Sequence, residues 1–168
     1  MERELVLLGL LNRQQMHGYE LHEFIENNLQ MCINLKKPTA YYLLEKLEKR
    51  GYITQTEERQ GNRPPRRIYH LSETGKAYYQ QLLQQNLSSY LPARFGGSIG
   101  VAFLDDVDRK TAVSLLKQRH QQLSQSLSDA QQIPDHPGAF QYLIDHQRVH
   151  LQSELDWLDK LIQTIEKG

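Results

Sequence analysis

Apolar side chains recur three and four residues apart at Leu5, Leu8 and Leu11, with Leu7 and Leu11 on the same rhythm, which predicts a first helix near the N-terminus. Gly18 breaks the pattern. Tyr19, Leu21, Phe24, Ile25 and Leu29 then make the apolar face of a second amphipathic helix that ends near Asn27 and Asn28. A third helix opens at Pro38, whose missing N–H is harmless in a first turn. Tyr41, Leu44 and Leu47 carry it until Gly51 stops it.

Beyond Gly51 the period changes. The stretch from Tyr52 to Arg59 is rich in Thr, Ile and Tyr, and Arg66–Leu71 is a second short extended run. Gln60-Gly61-Asn62-Arg63-Pro64-Pro65 lies between them and cannot continue a strand ladder, so the two runs form a hairpin with an exposed basic tip. Ser72 is placed to cap a fourth helix bearing Tyr78, Leu82, Leu83 and Leu87. Gly75 near its start should weaken it by about 1 kcal/mol relative to Ala. The Pro, Gly and Ser content of Pro92–Gly100 marks a linker, taken as residues 92–104. Two long helical patterns follow. Asp106 or Asp108 can cap the first, which carries Ala112, Leu115, Leu116, Leu123, Leu127 and Ala130 and is ended by Pro134 and Pro137. The second, from Ala139, has a near-heptad stripe through Leu143, Ile144, Leu151, Leu155, Leu158, Ile162 and Ile165. A stripe of that length exceeds what a two-helix hairpin should cover, so Leu151, Leu155, Leu158 and Ile162 are expected to face a second copy of the chain. The predicted architecture is mainly α: a winged helix-turn-helix over residues 1–91 with a two-stranded wing, the linker, and an antiparallel helical dimerisation domain over 105–168.

Composition adds position to this picture. Twenty basic residues balance twenty acidic ones over 168 positions, yet Met31 to Lys76 holds ten basic against five acidic residues, while Gln81 onward holds eight against ten. The positive charge sits on the third helix and the wing. The longest apolar run, Leu5 to Leu11, is seven residues, too short to span a bilayer, and Glu2-Arg3-Glu4 does not resemble the start of a signal peptide, so a cytoplasmic protein with no membrane partner is expected. Cys32 is the only cysteine, which excludes an intramolecular disulfide and a zinc site built on paired cysteines. It is either a small buried hydrophobe or a redox sensor.

Three helices, a basic hairpin and a positive middle segment compose a surface for double-stranded DNA. Lys36 and Lys37 add their charge to the N-terminus of the third helix. Thr39, Tyr41 and Tyr42 offer hydroxyls in its first turn, and Lys46 lies one turn on. Arg59, Asn62, Arg63, Arg66 and Arg67 supply donors along the wing. Tyr19, Leu21, Leu44, Leu47, Ile53 and Tyr69 are expected in the core.

At these residues the sequence resembles the PadR family of bacterial transcriptional regulators. His17-Gly18-Tyr19-Glu20-Leu21 matches the family's second-helix signature. Thr39-Ala40-Tyr41 with Leu44, Leu47, Glu48, Gly51 and Ile53 looks like its recognition-helix pattern, and Arg66–Ser72 with Gly75 looks like its wing-to-helix segment. The paired C-terminal helices resemble the dimerisation domain of longer PadR proteins and AphA-type activators. Lys36-Lys37-Pro38 departs from the family's usual Ser-Pro-Gly, and Tyr42 stands where a proline is common, so operator preference should differ. The resemblance implies a homodimer, usually a repressor, that releases an operator when a small effector binds near the domain junction.

Other patterns carry less. His146 and His150 are four apart on one helical face, as in a two-histidine metal site, but also as in a hydrated or interface pair, and no metal is expected. Gly96–Gly100 lacks the strand before it and the Lys-Ser or Lys-Thr after it that a phosphate cradle needs. Tyr90, Phe103, Phe140 and Trp157, with Phe95 and Tyr142 nearby, form a candidate effector pocket or part of the core. No nucleophile–base pair, carboxylate dyad or cofactor loop stands out, so neither an enzyme nor a cofactor is expected. The rival to DNA binding is a winged-helix adaptor for protein or a small molecule.

Overall fold

The computed structural model of the chain describes residues 1–29, 33–58, 66–93 and 95–167. They divide into two compact units, Met1–Pro92 and Ala93–Gly168.

The N-terminal unit runs α1 (Glu2–Arg13), β1 (Met16–His17), α2 (Gly18–Asn28), α3 (Lys37–Lys49), β2 (Ile53–Glu58), β3 (Arg66–Leu71) and α4 (Glu73–Ser88). Its antiparallel sheet has the order β1-β3-β2, with Met16 opposite Tyr69 on one side of β3, and Ile53 opposite Leu71 through Glu58 opposite Arg66 on the other. The expected hairpin is therefore present, with a third strand beside it. Two residues are too few to produce a period of two, so β1 leaves no mark in the hydrophobic pattern. Leu7, Leu8, Leu21, Leu44 and Leu47 are fully enclosed, and Ile25, Ile53 and Tyr69 close the same core. Each such aliphatic side chain contributes on the order of 1.5–3 kcal/mol through burial. Tyr19 departs from expectation: it is 41% exposed and lies at the rim.

Two polar clusters lock the helices around that core. Gly51 ends α3 at φ +74, a conformation that glycine adopts without strain, and its carbonyl accepts from the hydroxyls of Ser72 (2.6 Å) and Thr74 (2.8 Å). Ser72 caps α4 as expected, accepting the Gly75 N–H at 3.0 Å. In the second cluster, the buried Glu4 carboxylate accepts from the Tyr78 hydroxyl (2.8 Å) and faces Lys46 (3.5 Å) and Arg50 (3.8 Å). The Arg50 guanidinium lies over the stacked rings of Tyr52 and Tyr78. Burial pushes the Glu4 carboxyl up, but the Tyr78 hydrogen bond and the charges of Lys46 and Arg50 outweigh it and hold the group below its ordinary value.

In the C-terminal unit, 3-10 turns over Gly96–Asp106 precede α5 (Arg109–Gln132), capped by Asp108, and α6 (Ala139–Lys167). The segment expected as a linker is thus turned rather than open. Its glycines prevent a regular α-helix but tolerate tight i to i+3 turns, and Arg119 of α5 ties them down by donating to the Gly97 carbonyl at 2.9 Å. The helices pair antiparallel. Leu127 and Ala130 pack on Leu151 and Leu155, and Leu116 packs on Leu158 and Ile162. Lys117–Glu166, Arg119–Glu154 and His120–Asp159 bridge them, while Arg148 donates to the Ala130 and Ile133 carbonyls at the end of α5. Leu151, Leu155, Leu158 and Ile162 are at most 6% exposed and are consumed inside the chain, because the 24 residues of α5 are long enough to cover the stripe. No described helix is long and apolar enough to cross a membrane.

Candidate nucleic-acid interface

The first turn of α3 stands out from the N-terminal unit. Lys36 is its N-cap without a side-chain cap bond, Pro38 sits at its start as expected, and Lys36, Lys37 and Tyr42 are exposed. Thr39 is half-buried. Tyr41 turns toward α2, where its ring lies across Gly18: a Cβ there would stand 2.8 Å from Tyr41 Cε1. Lys46 points the other way, to Glu4, so the positive row expected along α3 is interrupted after its first turn.

The base of the wing supplies the remaining charge. Arg66 and Arg67 project exposed from the start of β3, and among the described residues neither guanidinium has a carboxylate within 4 Å. Arg66 lies over the Tyr19 ring at 5.5 Å and approaches its hydroxyl at 3.5 Å. Tyr19 in turn stacks on His17 (centroids 5.4 Å apart, 17° between planes). Arg59, Asn62 and Arg63, assigned to the wing tip, lie outside the described residues, as does Cys32.

His17, Gly18 and Tyr19 from the start of α2, Tyr41 from α3, and Arg66, Arg67 and Tyr69 from β3 surround one hollow of about 240 Å³. Burial raises the Tyr69 hydroxyl above its ordinary value, with Arg67 opposing that shift. The result is a concave surface rich in donors and positive charge, of the kind that contacts a sugar–phosphate backbone. Tyr19 and His17 were missed as site residues because aromatic positions at helical spacing ordinarily belong to a core. The signal that could have found them is Gly18, whose bare backbone between two ring residues signals a close approach.

The candidate effector residues are distributed over both units. Tyr90 belongs to the N-terminal unit and is 87% exposed, Phe103 is exposed on the 3-10 turns, and Phe140 lies against His136 at the start of α6. Trp157 alone lines a hollow, one of about 500 Å³ shared with Phe95, Ser98, His150, Ser153 and Glu154 and lying wholly within the C-terminal unit. Arg119 sits 5.7 Å from the Trp157 ring centroid and pairs with Glu154. The linker turns bring Phe95 and Ser98 to α6, a proximity that sequence separation conceals.

Residues 7–81 match the transcriptional regulator PadR-like family. Among curated proteins, the negative transcriptional regulator PadR of Bacillus subtilis (strain 168) is 26% identical over 125 residues, 74% of this chain and 69% of that protein. The crystal structure of Bacillus subtilis PadR in complex with operator DNA is similar with a TM-score of 0.84 at 21% identity, over 96% of this chain and 98% of that one. The same protein in complex with p-coumaric acid gives 0.75 at 19% identity, covering 98% and 96%. The PadR-like regulator BC1756 from Bacillus cereus gives 0.75 at 16% identity and covers 98% of each chain. At these identities the structural likeness is one of fold.

Proposed function

We propose that the chain is a transcriptional regulator of the PadR-like family that its residues 7–81 match, acting as a cytoplasmic, homodimeric, ligand-responsive repressor of an inverted-repeat operator. The observation that carries this reading is the meeting of α2, α3 and the wing base around one positive hollow, beside the exposed first turn of α3. Lys37, Thr39 and Tyr42 read base edges from that turn, Lys36 meets phosphate at the helix N-terminus, and Arg66 and Arg67, with Arg59, Asn62 and Arg63, hold the flanking backbone. Two-fold symmetry sets half-sites about 10 base pairs, or a multiple, apart.

A second copy docks on the side of α6 opposite its buried stripe, where Tyr142 (77% exposed) and Val149 (65% exposed) lie seven residues apart on one face. Operator symmetry calls for that copy, and a helix apolar on both sides is the element suited to join it. The hollow beside Trp157 takes the effector. Its volume falls within the range of about 300–1,000 Å³ usual for organic ligands, and Trp157 and Phe95 suit a flat apolar body. Bacillus subtilis PadR has been solved with a small aromatic acid, p-coumaric acid, which supports an organic effector here.

The test is selection of genomic fragments by the purified protein at moderate salt, beside the Arg66→Ala, Arg67→Ala double variant. Enrichment of one inverted repeat by the parent and not by the variant is expected. A folded dimer that enriches nothing, with or without added small aromatic acids, would refute the reading.

A further inference from the structure

We infer that the hollow at the start of α2 seats one backbone phosphate of the DNA duplex, clamped by Tyr19 and Arg66, residues that position the strand beside the groove α3 enters. The inference rests on the DNA-binding reading above and assigns it a specific anion site.

Size is the first argument. At about 240 Å³ the hollow is smaller than the usual organic-ligand pocket, yet it accommodates a tetrahedral phosphate between its walls. The second argument is the set of donors. The guanidiniums of Arg66 and Arg67 border the space, as do Tyr19 and Tyr41. Arg66 is not a loose surface cation, since Tyr19 holds it by ring face and hydroxyl and His17 steadies Tyr19 by stacking. A donor ordered in advance loses less freedom when an anion arrives.

Charge balance is the third argument. Of the carboxylates around the hollow, Glu20 and Glu58 lie within reach of His17, Glu58 as an ion pair when the imidazole is protonated, and Glu48 acts on Tyr69 at longer range. Glu20 Oε2 accepts the His17 backbone N–H at 2.8 Å, its other oxygen lies 3.4 Å from the Tyr19 hydroxyl, and Glu58 Oε2 stands 3.3 Å from His17 Nε2. Glu58 is the ladder partner of Arg66, yet its carboxylate goes to the histidine. Glu45, which feels Arg67 at longer range, is paired with Lys49 at 2.8 Å. Among the described residues neither Arg66 nor Arg67 has a carboxylate within 4 Å, Arg66 reaching only the Tyr19 hydroxyl and Arg67 bonding to that of Tyr69, while Glu20 in the first turn of α2 offsets the dipole of that helix. Gly18 completes the shape. A side chain there would collide with Tyr41 at 2.8 Å from its ring and 3.3 Å from its hydroxyl, so a bare backbone is what lets the α3 tyrosine lie along the wall.

The experiment measures binding of a parent-enriched duplex by the full chain, by Tyr19→Phe, which keeps the ring and removes only the hydroxyl, and by Arg66→Ala. Duplexes carrying a single neutral methylphosphonate at each position in turn provide the second axis. Tyr19→Phe should weaken every duplex sequence alike, about threefold to tenfold. Arg66→Ala removes one contact per half-site and should flatten the salt slope by about two. One phosphate per half-site should show coupling, its neutralisation costing the parent affinity and costing both variants far less. Parent binding with no coupled phosphate, or variants that bind like the parent, would overturn the clamp while leaving DNA binding intact. A parent that binds no duplex overturns both. Competition by inorganic phosphate at fixed ionic strength, without a coupled position, would mark a free-anion site instead and likewise overturn the inference.

Discussion

Gly75 shows what one residue can conceal. On helix propensity alone it is a weak point near the start of α4, yet a Cβ there would lie 1.9 Å from the Tyr52 carbonyl oxygen, so the position admits nothing larger. Gly75→Ala, nominally a helix-favouring change, should therefore destabilise the N-terminal unit by about 3 kcal/mol in urea unfolding. Propensity was legible in the sequence and the carbonyl was not, because Tyr52 approaches only once β2 has turned back. Glu4 carries a pH signature. Its folded value lies below its ordinary 4.5, so its contribution is present above that pH and is lost as pH falls through the folded value. Tyr78 works in the opposite sense: burial, then the bond to Glu4, raise it above 10.0, so its contribution is present below that pH and lost as pH rises through the folded value. Glu4→Gln should flatten the acid limb of the N-terminal unit's stability profile, which pH-dependent denaturant melts would measure.

Among the elements, α1 to α4 and the hairpin were legible because each has its own period and its own stop. β1 was not, since its pairing is decided by β3 fifty residues away. The stripe on α6 was legible, while its packing on α5 was not. Periodicity reports that a face is buried and says nothing of what buries it, and the 24 residues of α5 take up that face through Leu116, Leu127 and Ala130. On the proposal that the other side of α6 carries assembly, Val149→Glu should convert the dimer to a monomer by sedimentation equilibrium while helical signal is retained. An unchanged dimer would move the interface elsewhere.

For the molecule as a whole, zero net charge hides an N-terminal positive segment and a slightly acidic C-terminal half, a division visible in the sequence once charges are counted by position. A dimer neutralising about eight phosphates should lose on the order of ten-thousand-fold in affinity between 50 and 200 mM salt, read from a titration series, and binding indifferent to salt would contradict the basic surface. The candidate DNA residues could be named from the sequence because charge, hydroxyl groups and turn chemistry coincide there, whereas the turn of Lys46 to Glu4 could not. The hollow beside Trp157 was legible only in part: Phe95 and Trp157 were both among the aromatic candidates, but local periodicity does not link Ser98 to α6. Each unit also encloses a core of its own. Under the proposed dimeric, DNA-binding reading, heating should accordingly give two heat-absorption peaks in a calorimeter: one climbing with protein concentration, the other fixed until DNA is added and then moving alone.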